Sequence, residues 1–433
     1  MLETVTKIAN HLYPSLVKWR RDFHKHAESG WVEFRTASIV ASKLSEWGYE
    51  VKSGREVIKE EARMGVPETS FLKKQEERAL MQGADPKWIS HFSGGFTGVV
   101  GILNTGRPGP TIGFRVDMDA LDIQESDAKD HRPVQEGFAS VNEHMMHACG
   151  HDAHTAIGLG LAYTLLKIRD KLKGKVKLIF QPAEEGVRGA KSMVDARVVD
   201  DLNLFIAIHV GAGAELGELI CGDLGHLATT KFDVTYTGKA AHAGGNPEEG
   251  RNALLAAATA SLNLYAISRH SAGKSYVNVG VLEAGSGRNI IPHTARLKVE
   301  TRGETTTIND YMYKRALQII QAAADMYHVE KHIRLMGAAN SSKSSEALLA
   351  FVRQQAEKIP DIHSITQGRK SSGSEDATYM MTRVKEKGGL AAYLVFGTTL
   401  SAGHHNERFD IDEKVMPIAI KTLALCAYHA DRL

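Results

Sequence analysis

Apolar residues recur at helical spacing in two stretches between positions 5 and 47, with a break at 28–30, and this pattern predicts two opening helices. Residues 52–97 differ, because Lys, Glu and Arg are frequent there. We expect this segment to form a charged, exposed helical insertion whose helix lies at about 71–81.

Short apolar runs then alternate with helical segments, an order typical of an α/β sheet with both faces covered. The predicted strands are 97–103, 111–116, 175–180, 204–210 and 391–396, and the predicted helices are 155–171, 346–358, 375–387 and 413–428. Because residues 104–110 are rich in Gly, Pro and Asn, we expect the first two of these strands to form a hairpin.

A different order begins near residue 227. Strands at 231–237, 276–282, 295–302 and 329–335 enclose helices at 252–268 and 308–327. This β-α-β-β-α-β order is the ferredoxin-like arrangement. We therefore predict an α/β fold in which residues 1–226 and 338–433 form one discontinuous domain around a covered mixed sheet. Residues 227–337 form the inserted ferredoxin-like domain.

Length, charge and cysteine content narrow the class of protein. A chain of 433 residues exceeds what one hydrophobic core usually organises, which supports two domains. The 53 Lys and Arg nearly balance the 51 Asp and Glu, and no basic tract stands out, so nucleic acid is not an expected partner. Three widely spaced cysteines argue against a disulfide framework and leave Cys149 as a thiol.

Membrane association is also not expected. The first residues predict no signal peptide. The longest apolar runs, 156–166 and 253–267, are shorter than the about 20 residues that cross a bilayer. We therefore expect a cytoplasmic chain.

Two neighbouring segments carry the residue types of a hydrolytic metal centre. Cys149 and His151 stand two residues apart, so in an extended loop their side chains can point the same way and share an ion. Glu184 and Glu185 follow a predicted strand, and one carboxylate can bind metal while the other activates water. The alternatives are a buried cysteine beside a helix start and an acidic helix N-terminus favoured by the helix dipole.

Other strand ends offer further imidazoles. His209 lies at the end of one predicted strand, and His404 and His405 follow another. One of the two adjacent histidines can bind metal while its neighbour faces solvent or supports the site. An ordinary turn or core histidine is the alternative for His209.

Asp117, Asp119 and His154 are expected around these ligands, since a carboxylate can orient a ligand imidazole by hydrogen bonding. A surface turn is the alternative for the two aspartates. The sequence has no phosphate-binding P-loop, no Gly-x-Gly-x-x-Gly after a strand and no Gly-x-Ser-x-Gly elbow. The chemistry that remains is hydrolysis by metal-activated water.

Five ordered motifs together resemble the metal-dependent amidohydrolases related to aminoacylase and carboxypeptidase. They are MHACGHD at 146–152, QPAEEG at 181–186, GKAAHAG at 238–244, RNIIP at 288–292 and GSED at 373–376. The resemblance implies two divalent metal ions, Mn²⁺ first and Zn²⁺ as the alternative, held by Cys149, His151, Glu185, His209 and His405. It implies Glu184 as the general base. This family usually has one histidine where the chain has two, so His404 is the alternative ligand.

The resemblance also implies that the discontinuous domain is catalytic and that the inserted domain is a lid and a dimer contact. His242 is expected to stabilise the oxyanion, with an ordinary turn histidine as the alternative. Asn289 and Arg302 are expected to hold a substrate carboxylate, Arg302 by a two-pronged contact. For Arg302 the alternative is a solvated charge at a strand end.

A narrower likeness to one branch of the family rests on WRRDFH at 19–24, ESGWVEFRT at 28–36, the charged insertion, and AGHHNE at 402–407. It implies a small amide substrate with a free carboxylate, p-aminobenzoyl-glutamate, cleaved to p-aminobenzoate and glutamate. It also implies a homodimer or a heteromer with a related B subunit. The alternatives are a broader N-acyl-amino-acid deacylase or dipeptidase, and a non-catalytic subunit of a hetero-oligomeric hydrolase.

Overall fold

A computed structural model describes residues 1–222, 225–368 and 373–433. The chain divides into two compact units. The first comprises Met1–Leu224, Lys343–Lys370 and Asp376–Leu433, and the second comprises Gly225–Ser342 and Ser371–Glu375.

Strands and helices are numbered in chain order. The strands are β1 (Glu50–Ser53), β2 (Val99–Asn104), β3 (Thr111–Asp117), β4 (Lys175–Gln181), β5 (Leu204–Val210), β6 (Glu218–Cys221), β7 (Ala228–Thr237), β8 (Ser275–Ala284), β9 (Thr294–Gly303), β10 (Glu330–Ala339), β11 (Ser364–Gln367) and β12 (Leu390–Phe396). The helices are α1 (Leu2–Lys25), α2 (Phe34–Glu46), α3 (Thr69–Met81), α4 (Pro86–Phe92), α5 (Arg132–Gln135), α6 (His151–Lys167), α7 (Ala190–Asp195), α8 (Ala253–Tyr265), α9 (Thr306–Met326), α10 (Glu346–Ala356), α11 (Ala377–Glu386) and α12 (Val415–His429).

The first unit is built on a mixed sheet of the order β1-β2-β4-β3-β5-β12-β6-β11 within the described residues. Strands β4, β3, β5 and β12 are parallel to their neighbours in that run, whereas β1, β2 and the β12–β6 pair are antiparallel. Helices α1, α2, α6, α10 and α12 share one apolar core with the sheet, and α7 and α11 share another. The predicted α/β fold with a large covered mixed sheet is therefore confirmed.

The expected hairpin between β2 and β3 is wrong. Strand β4 lies between them, because β2 pairs antiparallel and β3 pairs parallel with it. Almost the whole of β3 is buried, because both faces of a central parallel strand are covered. Its run of apolar residues suits this position. The connection at 104–110 turns back on Gly174 instead, since Thr105 N–H donates to the Gly174 carbonyl at 3.2 Å.

Helix α6 runs through the middle of the apolar core. It begins after Gly150, whose φ of +93° lies in the left-handed region that glycine adopts without strain. A Cβ at Gly150 would lie 2.7 Å from Val210 Cγ2. Further along, a Cβ at Gly158 would lie 2.7 Å from Phe180 Cε1 and 2.9 Å from Val116 Cγ2. Small residues thus let α6 approach the sheet closely.

The second unit has the order β7-α8-β8-β9-α9-β10, which is the order that the sequence predicts. Its described strands form an antiparallel sheet of the order β10-β7-β9-β8. Both helices pack on one face of this sheet around Phe232, Tyr236, Leu264 and Met312.

The short strands β1, β6 and β11 were not predicted, because four residues at the side of a sheet carry too little periodicity to detect. The predicted helix of the charged insertion is confirmed as α3, and α4 follows it. The expectation that the whole segment is exposed is wrong, because Leu72, Trp88 and Phe92 are buried in the apolar core. In the part of the chain that the structure describes, no helix has the length and apolar character to cross a membrane.

Gly158→Ala tests the close packing of α6. Overpacking a core typically costs about 1–3 kcal/mol, and contacts under 3.0 Å with Phe180 and Val116 place the cost here at about 2–3 kcal/mol. The gain in helix propensity returns about 1 kcal/mol, so we expect a net loss of about 1–2 kcal/mol. The measurement is the midpoint of thermal unfolding. The control is Lys167→Ala at the exposed end of the same helix, with an expected change of no more than about 0.5 kcal/mol. An unchanged or raised midpoint for Gly158→Ala would contradict the packing described.

Candidate metal centre

The predicted donors lie at one edge of the large sheet. The parallel strands β4, β3, β5 and β12 stand side by side, so their carboxyl ends share an edge. Cys149 precedes α6, Glu184 and Glu185 follow β4, His209 lies near the end of β5, and His404 and His405 follow β12. Cys149 Sγ lies 3.4 Å from His209 Nε2 and 3.6 Å from His404 Nδ1.

Two groups of donor atoms share the Cys149 thiol. One group is Cys149, His151 and His209, and the other is Cys149, Glu185 and His405. Within each group the candidate ligand atoms lie within 4.8 Å of one another. Two imidazoles with a thiolate suit Zn²⁺, and the carboxylate and imidazoles also accept Mn²⁺. The two groups would suit divalent cations, and Cys149 is the residue that they share.

Hydrogen bonds aim the ligand atoms of this cluster. The Nδ1 of His151 donates to the Asp119 carbonyl at 2.9 Å, and the Nδ1 of His209 donates to the Val210 carbonyl at 2.7 Å. In its neutral form each ring then has its lone pair on Nε2, the orientation that metal-binding histidines need. His151 Nε2 and Glu185 Oε1 are buried and have no hydrogen-bond partner among the described residues. A buried polar atom calls for a partner such as a water or an ion, and the imidazole, carboxylate and thiol groups gathered here are donors that fit a cation.

Asp119 also holds the loop that carries the two glutamates. Its Oδ1 accepts from the Glu184 N–H at 3.0 Å and its Oδ2 accepts from the Glu185 N–H at 2.9 Å. The preceding residue, Ala183, has a φ of +51°, in the left-handed region that costs free energy for a residue with a side chain. The buried carboxylate of Glu33 accepts from the Ala183 N–H at 2.7 Å. Two carboxylates thus fix a strained loop beside the donors.

His154 supports the cluster without joining it. Its Nδ1 donates to Asp117 Oδ1 at 2.5 Å, and its Nε2 accepts from the Val210 N–H at 2.9 Å, so both ring nitrogens are engaged. Asp117 also accepts from Arg115 at 2.8 Å. Burial raises the pKa of Asp117, but His151, His154 and Arg115 together hold it well below its usual range. Asp117 is therefore an anion at neutral pH.

The two adjacent histidines differ in what their rings do. His404 Nε2 accepts from the Ala212 N–H at 2.9 Å, which leaves the proton of the neutral ring on Nδ1, the atom that faces Cys149. His405 Nε2 lies 3.5 Å from Glu185 Oε1 and belongs to a donor group. A ring nitrogen that carries a proton cannot bind a metal ion, so the geometry favours His405.

Electrostatics act differently on the individual groups of the cluster. Burial lowers the pKa of His151, but Asp117, Asp119 and Cys149 together hold it well above its ordinary value. Burial, followed by the charge of Glu185, raises the pKa of the Cys149 thiol to about 12. Burial lowers the pKa of His209 well below its ordinary value, and His154 and His404 lower it further. Neutral imidazoles are the form that binds metal. A divalent cation beside the sulfur would reverse the thiol's preference and favour the thiolate.

Two residues that hold the glutamate loop were not assigned a role from the sequence, namely Glu33 and Asp376. Asp376 is buried and accepts from the Gly189 and Ala190 N–H groups at 3.0 and 2.9 Å, and from Gln181 Nε2 at 2.7 Å. Both lie within quoted motifs, 28–36 and 373–376. Their position inside these motifs was the one indication in the sequence that they matter. Their role could not be predicted, because it depends on backbone N–H groups that come near them only in the folded chain.

The remaining predicted residues belong to the second unit. His242 is exposed, and its Nδ1 accepts from the N–H groups of Gly244 and Gly245 at 3.1 and 2.9 Å, so the ring proton resides on Nε2. The Ala243 N–H donates to the Asn289 carbonyl at 3.0 Å, which brings the His242 and Asn289 segments together. Arg302 lies elsewhere, on β9, where its Nε is 3.0 Å from Glu300 Oε1. It lines a cavity of about 370 Å³ with Lys274, Tyr276 and Asn278.

Comparison with known proteins agrees with this chemistry. Residues 113–429 match the model of peptidase family M20/M25/M40. The chain is 57% identical over 419 residues to the indole-3-acetyl-aspartic acid hydrolase of Enterobacter agglomerans, covering 96% of each chain. It is 56% identical over 429 residues to the A subunit of p-aminobenzoyl-glutamate hydrolase from Escherichia coli K12, covering 99% of this chain and 98% of that one.

A solved structure is similar as well. The aminobenzoyl-glutamate utilization protein from Klebsiella pneumoniae is 49% identical, with a TM-score of 0.86, over 98% of this chain and 97% of that chain. The resemblance predicted from the five motifs is confirmed. The chain therefore belongs to peptidase family M20/M25/M40 and is a metal-dependent hydrolase of amide bonds.

Proposed function

We propose that the chain hydrolyses the amide bond between an aromatic acid and an acidic amino acid, with p-aminobenzoyl-glutamate as the first substrate. The main support for hydrolysis is that two groups of candidate metal ligands share Cys149 and lie beside Glu184. The names of two relatives support the substrate class, because each describes an aromatic acid joined to aspartate or glutamate. Indole-3-acetyl-aspartate is therefore the second candidate.

The proposed ligands of two divalent ions are Cys149, His151, Glu185, His209 and His405. Support comes from their two donor groups and from His151 Nε2 and Glu185 Oε1, which are buried and make no hydrogen bond within the described chain. When bound, such ions polarise an amide carbonyl and lower the pKa of water from about 15.7 toward about 7. Mn²⁺ is the proposed metal and Zn²⁺ its alternative, since the thiolate suits zinc.

Glu184 is the proposed general base. Its Oε2 lies 4.0 Å from His151 Nε2, so its carboxylate borders the donor cluster without belonging to either group that contains Cys149. In that place it can take the proton of the attacking water and deliver it to the leaving amine. Asp119 fixes the backbone that carries this side chain, because it accepts from the Glu184 and Glu185 N–H groups.

His242 is proposed to stabilise the oxyanion that forms on the amide carbonyl. The two N–H groups that its Nδ1 accepts leave Nε2–H as a donor. A preorganised donor of this kind stabilises the charge of the transition state without rearrangement. Asn289, on the segment that pairs with His242, and Arg302 are proposed to bind the carboxylates of the substrate.

We further propose that residues 1–226 and 338–433 act as the catalytic domain and 227–337 as a ferredoxin-like lid and dimer contact. The exposed apolar side chains of Leu262, Tyr265 and Tyr276 on α8 and β8 support an interface there. A related B subunit is a candidate partner, because one relative of this chain carries the name of an A subunit. Sedimentation of the purified chain with and without such a partner tests this, and a monomer in both cases would contradict it.

Substrate hydrolysis is the direct test of the proposed function. The purified chain with Mn²⁺ should cleave p-aminobenzoyl-glutamate and indole-3-acetyl-aspartate with kcat/KM at least about 10-fold above that for N-acetyl amino acids with apolar side chains and for dipeptides. A chelator should abolish turnover, and adding Mn²⁺ or Zn²⁺ back should restore it. Equal rates on all substrates would favour a broad deacylase. Product formed only with a partner chain would favour the non-catalytic subunit.

Substituting the two glutamates should separate chemistry from metal binding. Glu184→Gln is expected to lower kcat by about 10²–10⁴-fold while metal content stays at the wild-type value, because only proton transfer is removed. Glu185→Gln, the matched change one residue later, should instead lower metal content. Metal analysis and steady-state kinetics provide both readouts. A Glu184→Gln enzyme with normal kcat would rule out the proposed base.

Arg302→Ala should raise KM for glutamyl substrates by about 10-fold or more, because a charged hydrogen bond contributes about 1.5–3 kcal/mol. Metal content should not change. Arg296→Ala is the matched control, since Arg296 is an exposed arginine on the same strand, and its KM should match the wild type. If both variants keep the wild-type KM, Arg302 is a solvated charge paired with Glu300.

A further inference from the structure

Arg20 is a fully buried cation to which the proposed mechanism gives no role. It lies on α1 with 0% of its surface exposed. Its Nε is 2.8 Å from Asp152 Oδ2, its Nη2 is 2.8 Å from Asp410 Oδ1, and its Nη1 is 3.5 Å from Glu413 Oε1. A buried guanidinium is costly unless carboxylates neutralise it. Here one cation bridges carboxylates from two separate segments of the first unit.

The first of these segments is the start of α6. Asp152 follows His151 directly, and its Oδ1 accepts from the Ala153 N–H at 2.8 Å. The Oδ2 that faces Arg20 also accepts from His24 Nδ1 at 2.8 Å. Because α6 begins at His151, Arg20 and His24 together hold the helical turn on which that imidazole stands.

The second segment is the loop between β12 and α12. Its base is closed by a bridge between Leu400 and Ile411 and by the Ser401 N–H, which donates to the Asp410 carbonyl at 3.0 Å. His405 stands on this loop. Asp410 is thus at the base of the loop, and its carboxylate is the group that Arg20 contacts.

We propose that Arg20 is a positioning residue of the metal centre, which sets the distance between His151 and His405 by tying the start of α6 to the base of the 400–411 loop. The inference rests on the proposed assignment of these two histidines as ligands. Each belongs to a different donor group, and Cys149 is their shared member. Without Arg20, Asp152 keeps His24 and Asp410 keeps Arg132, but the two carboxylates lose the cation that contacts both of them. The start of α6 and the base of the loop then lack this common partner, which would move the two donor groups apart.

Neighbouring cations make the role of Arg20 separable. Arg21, the next residue of α1, donates to Glu413 at 2.8 and 2.9 Å and pairs with Glu136 at 2.6 Å. Arg132 contacts Asp410 and Glu413 from the outside of the network. Among the described residues, neither Arg21 nor Arg132 forms an ion pair with Asp152. Arg20 is the cation whose side chain contacts both Asp152 and Asp410. It adds to a backbone link between the two segments, in which the His405 N–H donates to the Ala148 carbonyl at 2.8 Å.

The test is titration of the metal-free full chain with Co²⁺, followed by the visible absorption of the bound ion, which reports ligand geometry without requiring turnover. We expect two bound ions in the wild type. Arg20→Met should weaken the second binding step by about 10-fold or more and change its absorption, the size seen when supports of metal ligands are lost. Arg21→Met is the control and should keep both steps within about 3-fold of wild type, a difference of about 0.7 kcal/mol at RT of about 0.6 kcal/mol.

Arg20→Lys is the second variant and decides the question if Arg20→Met does not fold. Lysine keeps the charge, but a single ammonium group lacks the forked geometry that lets a guanidinium contact both segments. We therefore expect the affinity for the second Co²⁺ to lie between those of Arg20→Met and the wild type. Wild-type affinity and absorption for both steps in the Arg20 variants would overturn the positioning role. A wild-type chain that binds no Co²⁺ would instead overturn the proposed metal centre, so the two failures are distinguishable.

Discussion

The organisation of the first unit depends on buried lone pairs that the described protein groups do not satisfy. His151 Nε2 and Glu185 Oε1 lie out of reach of water, and the structure as described gives neither a hydrogen bond. An unsatisfied buried polar atom costs about 1–3 kcal/mol, and more when it is charged. A cation offsets this cost because it accepts lone pairs from several donors at once. The cluster around Cys149 therefore makes physical sense as a metal centre and poor sense as an apolar core.

Keeping donors in such a place requires a rigid surround, and the chain supplies it with carboxylates. Asp119 accepts from two consecutive N–H groups of the glutamate loop, and its own carbonyl orients His151. Glu33 accepts a hydrogen bond near the beginning of the same loop, and Asp376 accepts two near its end. Arg20 neutralises the carboxylates of Asp152, at the start of α6, and of Asp410. Because these contacts are buried, they hold the start of α6 and the segment that carries Glu184 and Glu185 in a low-dielectric surround.

The same surround explains why the sequence motifs extend beyond the candidate ligands. The segment 19–24 contributes the buried Arg20 and His24, and the segment 28–36 contributes Glu33. None of the three is a proposed ligand. Each contacts either the glutamate loop or the residue after His151. A metal site in a low-dielectric interior needs these partners as much as it needs the ligands themselves.

The sequence by itself determined the elements, their α/β order and the residue types of the centre, because helical periodicity, apolar strand runs and strand-end donors are local properties of the chain. It predicted α6, the strand before Glu184 and Glu185, and the β-α-β-β-α-β order of the second unit. Tertiary structure alone decided that β4 lies between β2 and β3, and that the short strands β1 and β11 form the two edges of the sheet. It also decided that the ring proton of His404 lies on Nδ1, because that depends on the Ala212 N–H, which is about 190 residues away in the chain. Pairing partners and proton positions depend on groups that meet only after folding, so no local pattern can encode them.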